Sequence, residues 1–231
     1  MKFFNLVAIL FSLISPQAFA AKETAASPNK SICDEEECRS YMDWARQWSW
    51  SIGPRYILQN NDRADAAFST NGFQSPKKSL MGLNFELLRH CDNGWSLGLG
   101  LSWFGSRRES ANFEANYRGS LVGLKTGYDF LYGNPESSLV LGSDLGLAGT
   151  QLEVFSSIKD GRRNSASFYV EPNLTYYHRI ADRVRLGLRA SYLATIGESS
   201  DSKGDNLGVT QVAPRGISAA LLLNLGRFGE K

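Results

Sequence analysis

Large apolar residues alternate with small ones in the stretch GWSLGLGLSWFG, which runs from residue 94 to residue 105. The apolar positions are Trp95, Leu97, Leu99, Leu101 and Trp103. Serine or glycine fills the positions between them. A period of two residues places the two sets on opposite faces of a β-strand. A soluble strand usually turns its apolar face inward and a polar face to water, so small residues on the second face indicate other surroundings.

The same alternation recurs in seven further stretches. They cover residues 48–53, 81–87, 122–130, 139–147, 168–176, 184–190 and 217–225. Most approach the roughly ten-residue length of a strand in a membrane barrel. No stretch of comparable length repeats with a helical period. The pattern therefore predicts eight β-strands whose large apolar faces contact lipid.

Long and short connections alternate between these stretches. The long ones cover residues 59–78, 106–116, 153–165 and 197–213. The short ones cover residues 91–94, 133–136 and 181–182. Outer-membrane barrels have short periplasmic turns at one rim and long extracellular loops at the other. The alternation predicts such an up-and-down barrel over a soluble lipocalin-type barrel, which has no reason to place its short turns at one end.

Aromatic residues are expected at two levels of this barrel. Those near the short turns are Trp48, Trp95, Tyr132 and Tyr177. Those near the long loops are Tyr56, Trp103, Tyr117, Phe168 and Tyr192. Aromatic rings prefer the headgroup zones of a bilayer, so the two groups predict two girdles.

The first twenty residues, MKFFNLVAILFSLISPQAFA, have the pattern of a secretory signal peptide. Lys2 supplies a positive start, an apolar core follows, and Ala18-Phe19-Ala20 forms a cleavage site. The core is shorter than the about 20 residues of a spanning helix. We therefore expect a signal peptide at residues 1–20, an N-terminal segment at 21–46 and the barrel at 47–228.

The balance of charged residues bears on whether the protein binds nucleic acid. The chain has 25 Lys and Arg residues against 23 Asp and Glu residues, which gives a net formal charge of +2. Nucleic-acid-binding proteins usually carry a strongly basic face, so this balance argues against a nucleic-acid partner.

The chain contains three cysteines, two of which bracket an acidic run. In an exported chain, a disulfide between Cys33 and Cys38 is expected. A metal site is the weaker alternative, because these cysteines lack a second pair or a histidine. The acidic run at 34–37 is expected to be solvated, with a divalent cation as the alternative. Cys91 is either free or competes for a partner, and we expect neither a bound metal nor a cofactor.

The chain resembles the small eight-stranded outer-membrane β-barrel family, the OmpA-like and OmpX-like proteins of Gram-negative bacteria. The resemblance covers most of the mature chain and rests on the signal peptide, the strand series and the alternating connections. It also includes the start WSWSIG at residues 48–53 and the end NLGRF at residues 224–228. The resemblance implies an all-β, transmembrane, eight-stranded antiparallel up-and-down β-barrel in the outer membrane. It further implies a periplasmic N-terminal segment, a monomer, and the barrel-assembly machinery as a partner during biogenesis.

Inward-facing charges are expected inside this barrel. The alternation assigns them to Arg55, Glu86, Lys125, Asp129, Asp144, Glu171, Arg185 and Arg189. An eight-stranded barrel is just wide enough to be filled by side chains, and an unpaired buried charge is costly. A selective pore would need a ring of one sign, whereas acids and bases are equal in number here. We predict a charge network in a closed lumen, with a narrow gated solute path as the alternative.

Arginines occur in two of the expected extracellular loops, as Arg107 and Arg108 and as Arg162 and Arg163. Lipopolysaccharide presents phosphates at that height, and arginine binds phosphate through two parallel hydrogen bonds. The sequence therefore makes lipopolysaccharide a candidate partner beside the outer-membrane lipid. Solvated loop charge is the alternative.

Some barrels of this family modify lipid A, and those that are deacylases have a His-x-Ser motif on a strand. Neither His90 nor His178 is followed by this pattern. Carboxylate chemistry by Asp144 and Glu171 stays open as an alternative. We expect a non-enzymatic protein with a structural or surface-interaction role through its long loops. A narrow channel for small or hydrophobic solutes and a lipid A-modifying enzyme are the alternatives.

Overall fold

The computed structural model describes residues 48–60, 78–91, 93–110, 112–156, 160–204 and 212–226. These belong to the second of the two units into which the chain divides, residues 41–231. The expected signal peptide, the N-terminal segment and the Cys33–Cys38 disulfide lie outside the described residues and stay predictions. No helix among the described residues is long and apolar enough to cross a membrane.

Eight antiparallel strands form a closed barrel in which each strand pairs with its neighbours in sequence and the last pairs with the first. The strands are β1 (Trp48–Gln59), β2 (Ser79–His90), β3 (Trp95–Ser110), β4 (Phe113–Asp129), β5 (Ser137–Ser156), β6 (Gly161–Ala181), β7 (Val184–Gly204) and β8 (Gly216–Gly226). The predicted all-β, eight-stranded up-and-down barrel is confirmed.

The alternation along each strand separates an apolar outer face from a polar inner one. Leu124 on β4 lies opposite Leu145 on β5, and their side chains are 55% and 49% exposed. The next positions, Lys125 and Asp144, also lie opposite each other, but both are buried inside the barrel. Large apolar residues on the outside are stable where the surrounding solvent is hydrocarbon.

Several strands continue well past the expected start of the extracellular loops. β3 runs to Ser110 and β4 begins at Phe113, so most of the expected loop at 106–116 is a β-hairpin. Most of the expected loop at 153–165 is likewise strand, because β5 ends at Ser156 and β6 begins at Gly161. The prediction of long loops at these two places is wrong.

The reason is that the alternation continues there with its faces exchanged. Ala115 and Tyr117 on β4 and Leu152 and Val154 on β5 face inward, and each is at most 3% exposed. The residues between them, such as Glu153, are polar and face outward. Such an exchange is expected where the outer solvent changes from hydrocarbon to water, because apolar side chains then gain stability by turning into the barrel. The outward apolar pattern therefore ends although the strands do not.

These inward residues help to fill the half of the barrel away from the short turns, which the sequence predicts to be extracellular, with an apolar cluster. It consists of Ile57, Leu80, Phe104, Phe113, Ala115, Tyr117, Leu121, Ala148, Leu152, Val154, Tyr169, Leu193 and Val212. The rings of Phe104 and Tyr117 are stacked, with centroids 6.3 Å apart. The barrel thus has a hydrophobic core of its own above the lipid-facing zone.

Exposed aromatic rings lie near both ends of the lipid-facing zone. Near the short turns, the rings of Trp95 and Tyr128 meet edge to face with centroids 5.4 Å apart. Tyr117 and Tyr177, which the sequence assigns to the girdles, are instead buried inside the barrel. Tyr177 lies over Gly187, where an added Cβ would sit 2.6 Å from the Tyr177 ring. The missing side chain at Gly187 makes room for this inward tyrosine.

The exchange of faces predicts unequal effects of two neighbouring substitutions on β5. Leu152→Ala removes a buried side chain from the apolar cluster and should lower the free energy of unfolding by about 2–5 kcal/mol. Gln151→Ala changes the water-facing side at the same height and should cost about 1 kcal/mol or less. Both free energies of unfolding are measured by urea titration, with the folded fraction taken from the folded band on unboiled gels. Equal losses would contradict the assignment of the two faces.

Candidate functional site: the charged lumen

Six charged residues meet inside the barrel at the height of the lipid-facing zone. We call them the charge layer: Arg55, Glu86, Lys125, Asp144, Glu171 and Arg189. They come from six different strands, because on each strand one inward position falls at this height. All six are at most 8% exposed. The layer contains three cations and three carboxylates, so its formal charge is zero.

Glu86 lies at the centre of one half of the charge layer. Arg189 binds both oxygens of the Glu86 carboxylate, with 2.9 Å between Nη2 and Oε2. The Lys125 ammonium lies 3.1 Å from Glu86 Oε1 and also forms an ion pair with Asp144. Gly100 faces the stem of Lys125, and a Cβ there would come within 2.8 Å of Cδ. The glycine on the small face of β3 therefore makes room for this lysine.

Arg55 and Glu171 form the other half. Arg55 Nη2 donates to Glu171 Oε1 over 2.6 Å, and Ser191 donates to the same oxygen over 2.5 Å. The Arg55 Nε group donates to Ser218 over 3.0 Å. Charge-assisted hydrogen bonds of this kind offset part of the cost of removing both ions from water.

Uncharged polar residues join the two halves. Arg55 Nη1 donates to Ser102, and Ser102 donates to Asn84 Oδ1 over 2.5 Å. Asn84 in turn donates to Glu86 Oε1 over 2.5 Å. On the other side, Asn173 donates to Asp144 over 3.1 Å. Sequence reasoning limited to charges missed these residues, although Asn84 and Asn173 each stand two positions from an inward carboxylate.

The other two predicted lumen charges, Asp129 and Arg185, lie nearer the short turns than the charge layer. Asp129 accepts hydrogen bonds from the backbone N–H groups of Leu131 and Leu139 and from the Ser138 hydroxyl. It therefore stabilises the turn between β4 and β5. Arg185 donates to the carbonyl of Pro135 in the same turn over 3.5 Å. Both residues thus bind the β4–β5 turn and lie outside the charge layer.

A cavity of about 30 Å³ lies between the charge layer and the short turns. Lys125, Asp144 and Arg189 contribute to its lining from the charge layer, and Tyr177 and Arg185 lie nearer the turns. This volume holds about two water molecules and is too small for an organic solute.

A serine and a histidine meet near the short turns, which the sequence did not predict. Ser49 Oγ and His90 Nε2 are 2.7 Å apart. Ser49 is 1% exposed, and its oxygen also accepts a hydrogen bond from Asn224 over 3.3 Å. A nucleophilic serine must reach its substrate, so this burial favours a structural contact. Within the described part of the chain, no group of three or more His, Cys, Asp or Glu residues is arranged to hold a metal ion.

The ends of strands β3 to β6 away from the short turns form a surface that we call the extracellular wall. The four arginines predicted to bind phosphate divide between its two faces. Arg107 and Arg162 face outward, whereas Arg108 and Arg163 alternate with them and face the interior. The assignment of Arg108 and Arg163 to lipopolysaccharide is therefore wrong for the outer wall. The residue that sequence reasoning missed is Arg118, which is exposed on the same wall opposite Gly105.

The outward arginines differ in their neighbours. Arg107 forms ion pairs with Glu109 and with Glu114, the latter over 3.2 Å. Arg162 donates to Gln151 over 2.7 Å. The Arg118 side chain forms no hydrogen bond or ion pair within the part of the chain that the structure describes. Among these three guanidinium groups, that of Arg118 therefore has the fewest described partners to compete with an external anion.

The charge layer predicts a large difference between a buried and an exposed ion pair. Lys125→Met leaves Glu86 and Asp144 with fewer compensating charges and should lower the free energy of unfolding by about 3–5 kcal/mol. Arg107→Met removes an exposed pair and should cost about 1 kcal/mol or less. Urea unfolding in lipid vesicles measures both. A loss at Lys125 no larger than that at Arg107 would show that the layer does not stabilise the fold.

No family model matches the sequence, and no curated protein matches it. Among solved structures, the chain is similar to a major outer membrane protein from Thermus thermophilus, with a TM-score of 0.52 and 10% identity over 78% of this chain and 99% of that one. It is also similar to Ail, the attachment invasion locus protein of Yersinia pestis, with a TM-score of 0.47 and 16% identity over 78% and 97%. The first similarity shows the fold. The chain therefore has the fold of an outer-membrane β-barrel, as its sequence resemblance predicts.

Proposed function

We propose that this protein is a non-enzymatic outer-membrane barrel that acts through its extracellular β-wall, as an interaction surface or as a structural element of the envelope. The observation that carries the proposal is that the barrel is filled at two successive heights. The charge layer occupies the lipid-facing zone, and the apolar cluster occupies the extracellular half. The strands nevertheless continue outward beyond the girdle.

The filled interior argues against transport as the main role. A solute on its way through the barrel would have to break buried ion pairs and then cross a packed apolar cluster. Neither layer alone resembles a selectivity filter, which needs a ring of one charge or a continuous polar wall. A narrow channel is the second candidate. Lys125 contacts two carboxylates, so it keeps one partner when a moving solute displaces the other.

The extracellular wall supports the interaction role. Hydrogen-bonded strands β3 to β6 continue to the hairpin ends, so the outward side chains are held on a rigid surface. Outward residues on this wall include Arg107, Asn116, Glu153 and Arg162, which lie side by side on four neighbouring strands. A preorganised polar surface loses less conformational entropy on binding than a flexible loop.

Two further observations support a role without catalysis. Ser49 is buried where it contacts His90, and the carboxylates of Asp144 and Glu171 each have cationic partners. A general acid or base must instead reach the proton it transfers.

Lipopolysaccharide and the outer-membrane lipid are the proposed surroundings of the wall. Arg107, Arg118 and Arg162 face outward on the strands just beyond Trp103, an exposed aromatic of the girdle. Guanidinium groups at that height suit the phosphates of lipid A. We further propose export through the signal peptide at residues 1–20, assembly by the barrel-assembly machinery, and a monomeric state in the membrane.

Planar-bilayer recording tests the closed lumen. The purified barrel, shown to be folded by its heat-modifiable migration, should give no single-channel steps above the baseline of a boiled sample. Regular steps would overturn the proposal in favour of the narrow channel.

Mass spectrometry of lipid A from a deletion strain tests the enzyme alternative, and we expect an unchanged spectrum. A new or missing acyl form would contradict the non-enzymatic role.

The lipid contact is tested by unfolding the barrel in bilayers that contain lipid A or dephosphorylated lipid A. Phosphorylated lipid A should stabilise the native chain, and Arg118→Gln should remove about 0.2–1 kcal/mol of that gain. Arg163→Gln, which faces the interior, is the matched control and should leave the gain unchanged. Equal effects of the two substitutions would refute phosphate recognition by the outer wall.

A further inference from the structure

Three residues outside the strands lie buried at the extracellular end of the barrel. Val212 and Ala213 are 3% and 8% exposed, and Pro214 is also buried. Strand β8 begins only at Gly216. We call residues 212–214 the strap. A segment without strand pairing normally runs over the surface, because its backbone groups need partners.

Two side chains from inside the barrel bind the backbone of the strap. The Tyr117 hydroxyl, from β4, donates to the Val212 carbonyl over 2.5 Å. The Val212 N–H group donates to Glu198 Oε1, from β7, over 2.8 Å. Burial raises the pKa of the Tyr117 phenol, so this group stays protonated and able to donate. Both polar backbone groups of Val212 are thus satisfied by side chains.

The Val212 side chain completes the apolar cluster from above. It belongs to the same buried cluster as Tyr117, Ile57 and Leu193. Removing the strap would therefore expose apolar surface at the extracellular end of the barrel. Val212 thus covers part of the apolar cluster.

The strap is not part of the hydrogen-bond ladder that closes the barrel. Pairing between β1 and β8 starts where Gln59 meets Gly216. Among the described residues, the backbone hydrogen bond nearest the strap joins the Asn60 N–H group to the Arg215 carbonyl over 2.7 Å. The strap can therefore leave the barrel without breaking any strand pair that the described residues form, and local opening costs less than global unfolding.

We propose that residues 212–214 form a movable strap that opens and closes the extracellular end of the barrel, with Tyr117 and Glu198 as its latch. In the closed state, the strap covers the apolar cluster. In the open state, the apolar surface is exposed to the extracellular side. The inference does not depend on the proposed interaction role, because it concerns the interior of the barrel and not its outer wall.

The experiment places a reporter on the strap itself. Val212→Cys is similar in size to the native residue and keeps the backbone groups that the latch binds. It is made in a chain whose Cys33, Cys38 and Cys91 are replaced by serine, and is treated with a charged, membrane-impermeant methanethiosulfonate reagent. Arg215→Cys, at an exposed position, gives the rate for a fully accessible thiol. We expect Val212→Cys to react far more slowly than this reference.

Latch variants then test the mechanism. Tyr117→Phe and Glu198→Ala each remove one hydrogen bond and should speed the reaction of Val212→Cys by about two- to tenfold. Glu198→Gln keeps an acceptor oxygen and should stay close to the parent rate. Tyr56→Phe and Glu153→Ala, on the outer face, are the matched controls and should change nothing.

Three results would overturn the proposal. Val212→Cys as reactive as Arg215→Cys would mean that the strap does not close the barrel. Latch variants with the rate of the controls would mean that Tyr117 and Glu198 do not hold it. Reaction rates that change in proportion to global stability, measured by urea unfolding of each variant, would mean that Val212 is exposed only by unfolding. A faster reaction in a latch variant of unchanged global stability would support local opening.

Discussion

The structure depends on one physical constraint. Side chains alternate between the two faces of a β-strand along its whole length, while the solvent outside the barrel changes from hydrocarbon to water at the membrane surface. Within the membrane, apolar side chains such as Leu145 are stable on the outside, and Asp144 must find partners on the inside. Beyond the girdle the preference is reversed, and Leu152 turns inward while Glu153 meets water. The charge layer and the apolar cluster both follow from this one exchange.

The polar interior of an eight-stranded barrel is too narrow for bulk water, so the ions of the charge layer must be stabilised by one another. Charges from six strands neutralise one another, and Asn84 and Ser102 connect the two groups of ion pairs. Two of the ion pairs, Arg55–Glu171 and Glu86–Arg189, join strands that are not neighbours and so tie the two sides of the ring together. Arg55 and Glu171, on β1 and β6, are 116 residues apart in the chain. The small residues of β3 belong to the same arrangement, since Gly100 leaves the space that Lys125 fills.

The apolar cluster has the complementary role at the extracellular end. It allows the strands to continue into water as a closed, packed structure, and it turns segments expected to be loops into a β-wall. The wall determines which charges meet the surroundings, since alternation sends Arg107 outward and Arg108 inward. The same cluster gives the strap an apolar surface to cover. The proposed interaction surface on the outside and the proposed strap on the inside thus both depend on strands that extend beyond the lipid-facing zone.

The sequence by itself determined the number of strands, their antiparallel order, the short turns at one end and the lipid-facing residues, because a period of two residues is a local property. It also indicated the inward charges. Only the tertiary structure decided which of them meet: six converge, whereas Asp129 binds the β4–β5 turn, because convergence depends on the register between strands. Nor did the local pattern distinguish a strand in water from a loop. The inward positions of Tyr117 and Arg108 and the burial of Val212 therefore appeared only in the closed barrel. Those features depend on what lies across the barrel, which a single strand does not encode.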